Sequence, residues 1–247
     1  MIIKKKLNSV GVIGRGKWGK KIIKVLKKHS SLKYVIGSNI NYKKCSTKID
    51  WVFILTPNKT HYKICEFFLK NKINVFCEKP LTLNYQEAVN LYKLAEINKV
   101  NLYVDDIEIY KNKKIKLKKK NDIIRQKKDV GKNYSLFERL FYHDLYLIFK
   151  YLKNKNVTGI KFINNSNLFF DIDFDKISIN FFYSIKSKNK IHRINKINLL
   201  SFKANPIDKM ISYIFKNKNF IENKKRSLFA LKLMLKIRSQ YKKIKWK

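Results

Sequence analysis

Four of the seven glycines fall within nine residues, at Gly11, Gly14, Gly16 and Gly19, and the last three keep G-x-G-x-x-G spacing. The apolar run Ser9-Val10-Gly11-Val12-Ile13 leads into them, and Ile22, Ile23, Val25 and Leu26 follow at helical spacing. That context predicts a strand, a tight turn and a helix. Gly14 permits the sharp turn, Gly16 lets a ligand approach the backbone, and Gly19 lets the helix pack closely on the strand. The unpaired N–H groups and partial positive charge at the helix start favour a phosphate. Arg15, Lys17 and Trp18 fill the remaining positions of the turn.

Two more strand-turn-helix units follow. In residues 50–55, Asp50 leads into a continuous apolar run that suits a parallel strand buried on both faces. Thr56, Pro57 and Asn58 end it, because proline has no N–H for the ladder and short polar residues favour a turn. Thr60 is placed to cap the next helix, whose apolar face is Ile64, Phe67 and Phe68. Residues 74–77 then make a strand, Glu78, Lys79 and Pro80 a turn, and residues 85–98 a helix, with Asn84 and Glu87 spaced as a capping box. Residues 101–104 read as one more strand. The three turns all leave strands at the same end, so they meet along one edge of a parallel sheet, where a dinucleotide would lie.

The order Gly14-x-Gly16-x-x-Gly19, then Thr56-Pro57-Asn58-x-x-His61, then Glu78-Lys79-Pro80 resembles the Gfo/Idh/MocA family of glucose-fructose oxidoreductases and inositol dehydrogenases. The resemblance covers residues 1–105 closely and the rest loosely. It implies an α/β chain with a Rossmann-like parallel sheet in an NAD(P)-binding domain at 1–105. A smaller α+β domain with a mainly antiparallel sheet, for substrate binding and oligomerisation, would occupy 106–247. It implies a cofactor set of Gly14, Arg15, Gly16, Lys17, Trp18, Gly19 and Ser38, with Glu78, Thr56, Pro57, Asn58 and His61 seating the nicotinamide ribose. Lys79 would lie beside the nicotinamide and the substrate hydroxyl. His143, in Tyr142-His143-Asp144-Leu145, resembles the histidine that takes the hydroxyl proton. An imidazole titrating near about 6.5 suits that task. Four residues earlier, where the family commonly has an aspartate, this chain has Arg139. Glu138 is adjacent, but one helical step turns a side chain by about 100 degrees.

Cofactor choice rests on the end of the second strand, residues 33–39. An acid that would hold the ribose 2′-hydroxyl of NAD is missing there: Ser38 and Asn39 are neutral, and Lys43 and Lys44 follow. NADP is therefore permitted, and the expected cofactor is NAD or NADP. Residues 39–49 are a short connection for a parallel crossover.

The formal net charge is +40 on 247 residues, yet only six of the 57 basic residues are arginine. Lysine, asparagine, isoleucine, tyrosine and phenylalanine are enriched together, as AT-rich codons would produce. A specific nucleic-acid reader would use arginine for bidentate contacts, so no specific nucleic-acid partner is expected. The lysine run at 111–120 reads as a solvated connection, with a polyanion contact as the alternative. Cys45, Cys65 and Cys77 have no paired spacing, so neither a metal site nor a disulfide framework is expected, which fits reducing cytoplasm. The first residues lack the apolar core of a signal peptide, and no stretch approaches the roughly 20 apolar residues of a membrane span.

In the second half, residues 160–162, 167–174, 176–183 and 190–200 read as strands of an antiparallel sheet. Helices follow from Pro206 and from about Glu222 to Arg238. Phe169, Phe170, Phe174, Phe181, Phe182 and Tyr183 are expected to form a core, or else an interface of a homodimer or homotetramer. The resemblance implies hydride transfer between nicotinamide and a secondary hydroxyl or ketone of a sugar or polyol, and the short second domain suggests surface-sugar biosynthesis by analogy alone. The alternative is a non-catalytic nucleotide-binding protein or partner subunit.

Overall fold

Short apolar runs bounded by turn residues make strands that can be covered on both faces, and five of them open this chain. A computed structural model describes residues 7–37, 41–111, 113–127, 136–164, 168–185 and 187–243. In it β1 (Ser9–Ile13), β2 (Ser31–Ile36), β3 (Trp51–Ile54), β4 (Asn74–Cys77) and β5 (Leu102–Val104) form a wholly parallel sheet of order β2-β1-β3-β4-β5. The strands β3 and β5 are buried throughout, whereas the edge strand β2 alternates. Helices α1 (Lys17–His29), α2 (His61–Lys70) and α3 (Tyr85–Ile97) follow β1, β3 and β4. Between β2 and β3 the described residues contain one 3-10 turn, Tyr42–Lys44, and no α-helix. Ser38 and Asn39 lie outside the described residues.

Local chemistry explains most of the boundaries. The Asn84 side chain accepts from the backbone N–H groups of Gln86 and Glu87 and so caps α3 as its spacing predicts. Thr60 does not cap α2. Its hydroxyl lies 2.7 Å from Thr56 Oγ1 and 2.8 Å from Pro57 O, because residues 58–60 wind as a 3-10 turn that directs it back toward the preceding loop.

The second sheet is built from β6 (Lys120–Gln126), β7 (Val157–Asn164), β8 (Leu168–Phe174), β9 (Ile177–Ser184), β10 (Ile191–Ile194) and β11 (Ile197–Asn198). Its order is β11-β10-β6-β9-β8-β7, and every pair is antiparallel except β6 with β9. The sequence pattern does not predict β6. Its inward residues are Asn121, Ile123 and Arg125, so the alternation is real but two of its three buried members are polar. The expected strand at 190–200 is two short strands, with Asn195 in the left-handed region (φ 51°) at the turn between them. A π-turn, Phe137–Phe141, leads into α4 (Tyr142–Leu152). Phe141, Phe170, Phe181 and Tyr183 pack as a cluster on the inner face, with Phe170 and Phe181 stacked at 5.1 Å. Phe169 and Phe182 sit half-buried on the other face and pair with each other.

The chain ends with α5 (Pro206–Lys216) and α6 (Ile221–Lys243). Two compact units result, one of residues Met1–Ile107 with Pro206–Leu228 and one of Glu108–Asn205 with Phe229–Lys247. In the first, His29 Nε2 on α1 lies 3.1 Å from Asp208 Oδ1 on α5, and Phe215 sets its ring edge-on to Phe53 at 6.2 Å. In the second, the later part of α6 brings Tyr241 against Phe137 and Phe162, and Arg238 donates to Glu138. No helix among the described residues is long and apolar enough to cross a membrane.

Phe53 is fully buried at the centre of the first sheet and stacks on Phe76 at 4.6 Å. Truncation there leaves a cavity that flanking strands cannot close, so Phe53→Ala should lower stability by about 3–5 kcal/mol. Urea unfolding checks this as a fall in midpoint with an unchanged slope.

Candidate active site

The parallel ladder continues one step past the strands and thereby aligns four loops. Gly14 N–H donates to Ile36 O at 2.9 Å, Leu55 to Ile13 O at 2.7 Å, Glu78 to Ile54 O at 2.9 Å and Asp105 to Cys77 O at 2.9 Å. The glycine turn, the Thr56 loop, the Glu78 loop and Asp105 therefore lie side by side at the carboxyl ends of β1, β3, β4 and β5, where ligands bind in open parallel sheets.

Each glycine of the first turn has its own reason. Gly14 has φ of 103°, and a Cβ there would meet Leu55 O at 2.5 Å. A Cβ on Gly19 would meet Gly14 O at 2.6 Å, which is the close packing of helix on strand. Gly16 is different: a Cβ there would have nothing within 4 Å, and the residue is exposed. It starts α1 with no side-chain cap and no acid in the first turn. An exposed, uncapped helix start of this kind fits the pyrophosphate of a dinucleotide. Arg15 and Lys17 are exposed beside it, and Trp18 turns inward to donate from Nε1 to Asp105 Oδ2 at 3.2 Å.

His61 ties two of the loops together. It is fully buried, with Nδ1 2.9 Å from Pro80 O and Nε2 2.9 Å from Thr56 O. Both partners are acceptors, so a neutral ring donates to only one of them at a time. Burial, reinforced by the charge of nearby Lys79, outweighs the carbonyls of Thr56, Pro80 and Leu81 and holds the imidazole below its ordinary 6.5. His61 thus joins the Thr56 loop to the Lys79-Pro80 turn from a fully buried position. Pro57 is exposed, Asn58 half-buried and Thr56 buried.

Lys79 is buried in the cis Lys79-Pro80 turn, and Glu78 is half-buried beside it. Burial, helped by the negative Glu78, pushes the Asp105 carboxyl well above the usual carboxylate range, while Lys79 pulls it down. Asp106 next to it is also buried and raised, though Arg226, Tyr103 and Asn223 all bond it. Composition and motif reasoning passes over this acidic pair. The signal that could find it is two adjacent carboxylates at the end of the last strand in a chain with few acids.

In the second unit, His143 stands in the first turn of α4 with its ring mostly buried. A network of buried charges surrounds it. Glu108 Oε1 accepts from Arg125 Nη2 at 2.8 Å, and Arg125 Nη1 donates to Asp144 Oδ1 at 3.1 Å. His192 Nε2 lies 2.7 Å from that same Oδ1. Lys111 Nζ is 2.6 Å from Glu108 Oε2, and His143 Nδ1 is 4.0 Å from Glu108 Oε1. Burial alone would raise both carboxyls, but Arg125 with Lys111 and His192 holds Glu108 well below the usual range. His192 and Arg125 do the same for Asp144. Arg139 is half-buried in the π-turn. Glu108, Arg125 and His192 are absent from the sequence-based site because they come from three separate segments without a motif. Among the described residues no group of three or more histidine, cysteine or acidic side chains could hold a metal.

Comparison with known proteins supplies the relatives. The model of the Gfo/Idh/MocA oxidoreductase family, NAD-binding Rossmann fold, matches residues 34–106. The uncharacterized oxidoreductase YgjR of Escherichia coli (strain K12) is 43% identical over 58 residues, 24% of this chain and 18% of that protein. The curated relatives are matched over 12% to 31% of their own length. UDP-N-acetylglucosamine 3-dehydrogenase GnnA from Acidithiobacillus ferrooxidans superposes with a TM-score of 0.77 at 16% identity, over 92% of this chain and 96% of that one. A variant of KijD10, a 3-ketoreductase from Actinomadura kijaniata, in complex with TDP-benzene and NADP, gives 0.78 at 11% identity, over 95% and 98%. These structures establish the likeness of fold.

Because the folded pKa of His61 lies below its unfolded value, the unfolded chain takes up the proton first as pH falls. The stability that neutral His61 contributes is therefore complete above about 6.5 and lost progressively below it. His61→Gln should cost about 1–3 kcal/mol near pH 8. Thermal unfolding of the two proteins should show that gap narrowing below pH 6.5, and a gap constant down to pH 5 would contradict the assignment.

Proposed function

We infer, for a chain that belongs to the Gfo/Idh/MocA family of NAD-binding oxidoreductases, that it transfers a hydride between NAD(P) and a secondary hydroxyl or ketone of a sugar or polyol. The observation that carries this reading is the placement of an open, uncapped phosphate turn at Gly16 on the same sheet edge as the buried Lys79 turn. A bound nicotinamide would supply the hydride acceptor or donor. The chain's own residues would do the rest. The N–H groups at the start of α1, with Arg15 and Lys17, would hold the pyrophosphate. The Thr56, Pro57 and Asn58 loop and Glu78 would seat the nicotinamide ribose, kept in register by His61. Lys79 would hold and polarise the substrate oxygen, and His143 would exchange its proton.

A sugar nucleotide is the favoured substrate class, since GnnA is a UDP-N-acetylglucosamine 3-dehydrogenase and KijD10 a 3-ketoreductase that binds NADP. Such a substrate would also suit surface-sugar biosynthesis. A second reading, a nucleotide-binding subunit without catalysis, is supported by Arg139 at the position where an aspartate is common. The two part on Lys79: only the enzyme reading gives it a kinetic effect.

Titration with NADPH and NADH should change tryptophan fluorescence saturably, through Trp18, and Gly16→Val should abolish the change while leaving thermal stability intact, since its side chain meets open space. Lys79→Ala should keep nucleotide binding and lower kcat on UDP- or TDP-sugars by about 10²- to 10⁴-fold. Failure of both nucleotides to bind at millimolar concentration would sink the oxidoreductase reading.

A further inference from the structure

We propose that Glu108 is the positioning residue that orients and charges His143, taking the place of the carboxylate that Arg139 displaces. The proposal rests on the oxidoreductase reading, in which His143 exchanges the substrate proton. Its grounds are geometric. Glu108 Oε1 lies 4.0 Å from His143 Nδ1, and the Glu108 side chain is 4% exposed against 14% for His143. Glu108 is clamped from two sides, by Arg125 Nη2 at 2.8 Å and Lys111 Nζ at 2.6 Å, so its carboxylate holds one direction. The other arm of Arg125 grips Asp144, the residue after His143 on α4. The same guanidinium therefore fixes both the carboxylate and the helix that carries the histidine.

A 4.0 Å separation is longer than a hydrogen bond, and catalytic hydrogen bonds are often long before a substrate is bound. At this range the carboxylate acts through its charge, in a site largely shielded from water. It favours a proton on Nδ1, which leaves Nε2 bare to accept one from a hydroxyl. His192 is the competing histidine, with Nδ1 3.8 Å from Glu108 Oε2. Its Nε2 is committed to Asp144 and its side chain is 2% exposed, so it belongs to the scaffold of the network. The groups that face the pair are Lys111, Arg125 from β6, Asp144 from α4, Tyr183 from β9 and His192 from β10.

Long-range ¹⁵N–¹H spectra of the intact chain, labelled at its four histidines and recorded without nucleotide or sugar, test the pair. His143→Gln assigns the resonance. The expected result is the Nδ1–H tautomer for neutral His143, and a midpoint that falls by about one pH unit, a tenfold change in acidity, in Glu108→Gln. An Nε2–H tautomer in the unsubstituted protein overturns the proposal, and that spectrum requires no variant to fold. So does a His143 midpoint that stays put in a Glu108→Gln protein with native near-ultraviolet circular dichroism. Since the spectra need no cofactor, a chain that fails to bind NADPH undermines the oxidoreductase reading through a separate result.

Discussion

Backbone meets backbone where β1 gives way to its turn. Gly14 lies against the carbonyl of Leu55, and Gly19 lies against the carbonyl of Gly14, each closer than any side chain would allow. Those contacts draw the start of α1 onto the sheet between β1 and β3. Everything along that edge follows from them: the uncapped N–H groups at Gly16, the Thr56 loop beside them, and through His61 the turn that holds Lys79. A bulkier residue at either glycine would have to be relieved by moving the helix away from the strand, which would take the phosphate turn out of line with the other loops.

The second unit is organised by charge in place of close backbone contact. Glu108 and Asp144 are buried acids, and Arg125 bridges them with Lys111 and His192 completing the set. Ion pairs withdrawn from water give little net stability, because desolvation offsets their attraction, but removing one partner strands the other at a cost of about 3–5 kcal/mol. Such a cluster therefore defines positions more than it adds stability. It does so around His143, the side chain with which the proposed reaction exchanges a proton.

The first sheet was legible because each of its units carries both a period and a stop. Apolar runs of strand length end in Gly14, Pro57 or Pro80, and the helices after them show an apolar face. The second sheet was legible only where its inward residues are apolar. Its strands β8 and β9 follow the aromatic alternation, while β6 was hidden by Asn121 and Arg125. The candidate site divides in the same way. Motif spacing locates Gly14, Gly16, Gly19 and Lys79, but it cannot tell that His61 turns inward to two carbonyls. Nor can it pair Glu108 with His143, since that contact joins separate elements across the fold of the chain. The return of residues 206–228 to the first unit is likewise a long-range packing event without a local signature.

That return sets a timetable for the chain as it is made. Asp106, at the end of the first sheet, is buried beside Arg226, its partner 120 residues later. At about 5–20 residues per second, ribosomal synthesis separates the two by roughly 6–24 s. During that interval all five parallel strands are out, while the buried acid at their edge still lacks its cation and the sheet lacks the rings of Phe215 and Phe220. The part of the protein that begins first is therefore the part that finishes late, and a nascent chain spends those seconds with an exposed apolar face that chaperones are equipped to cover.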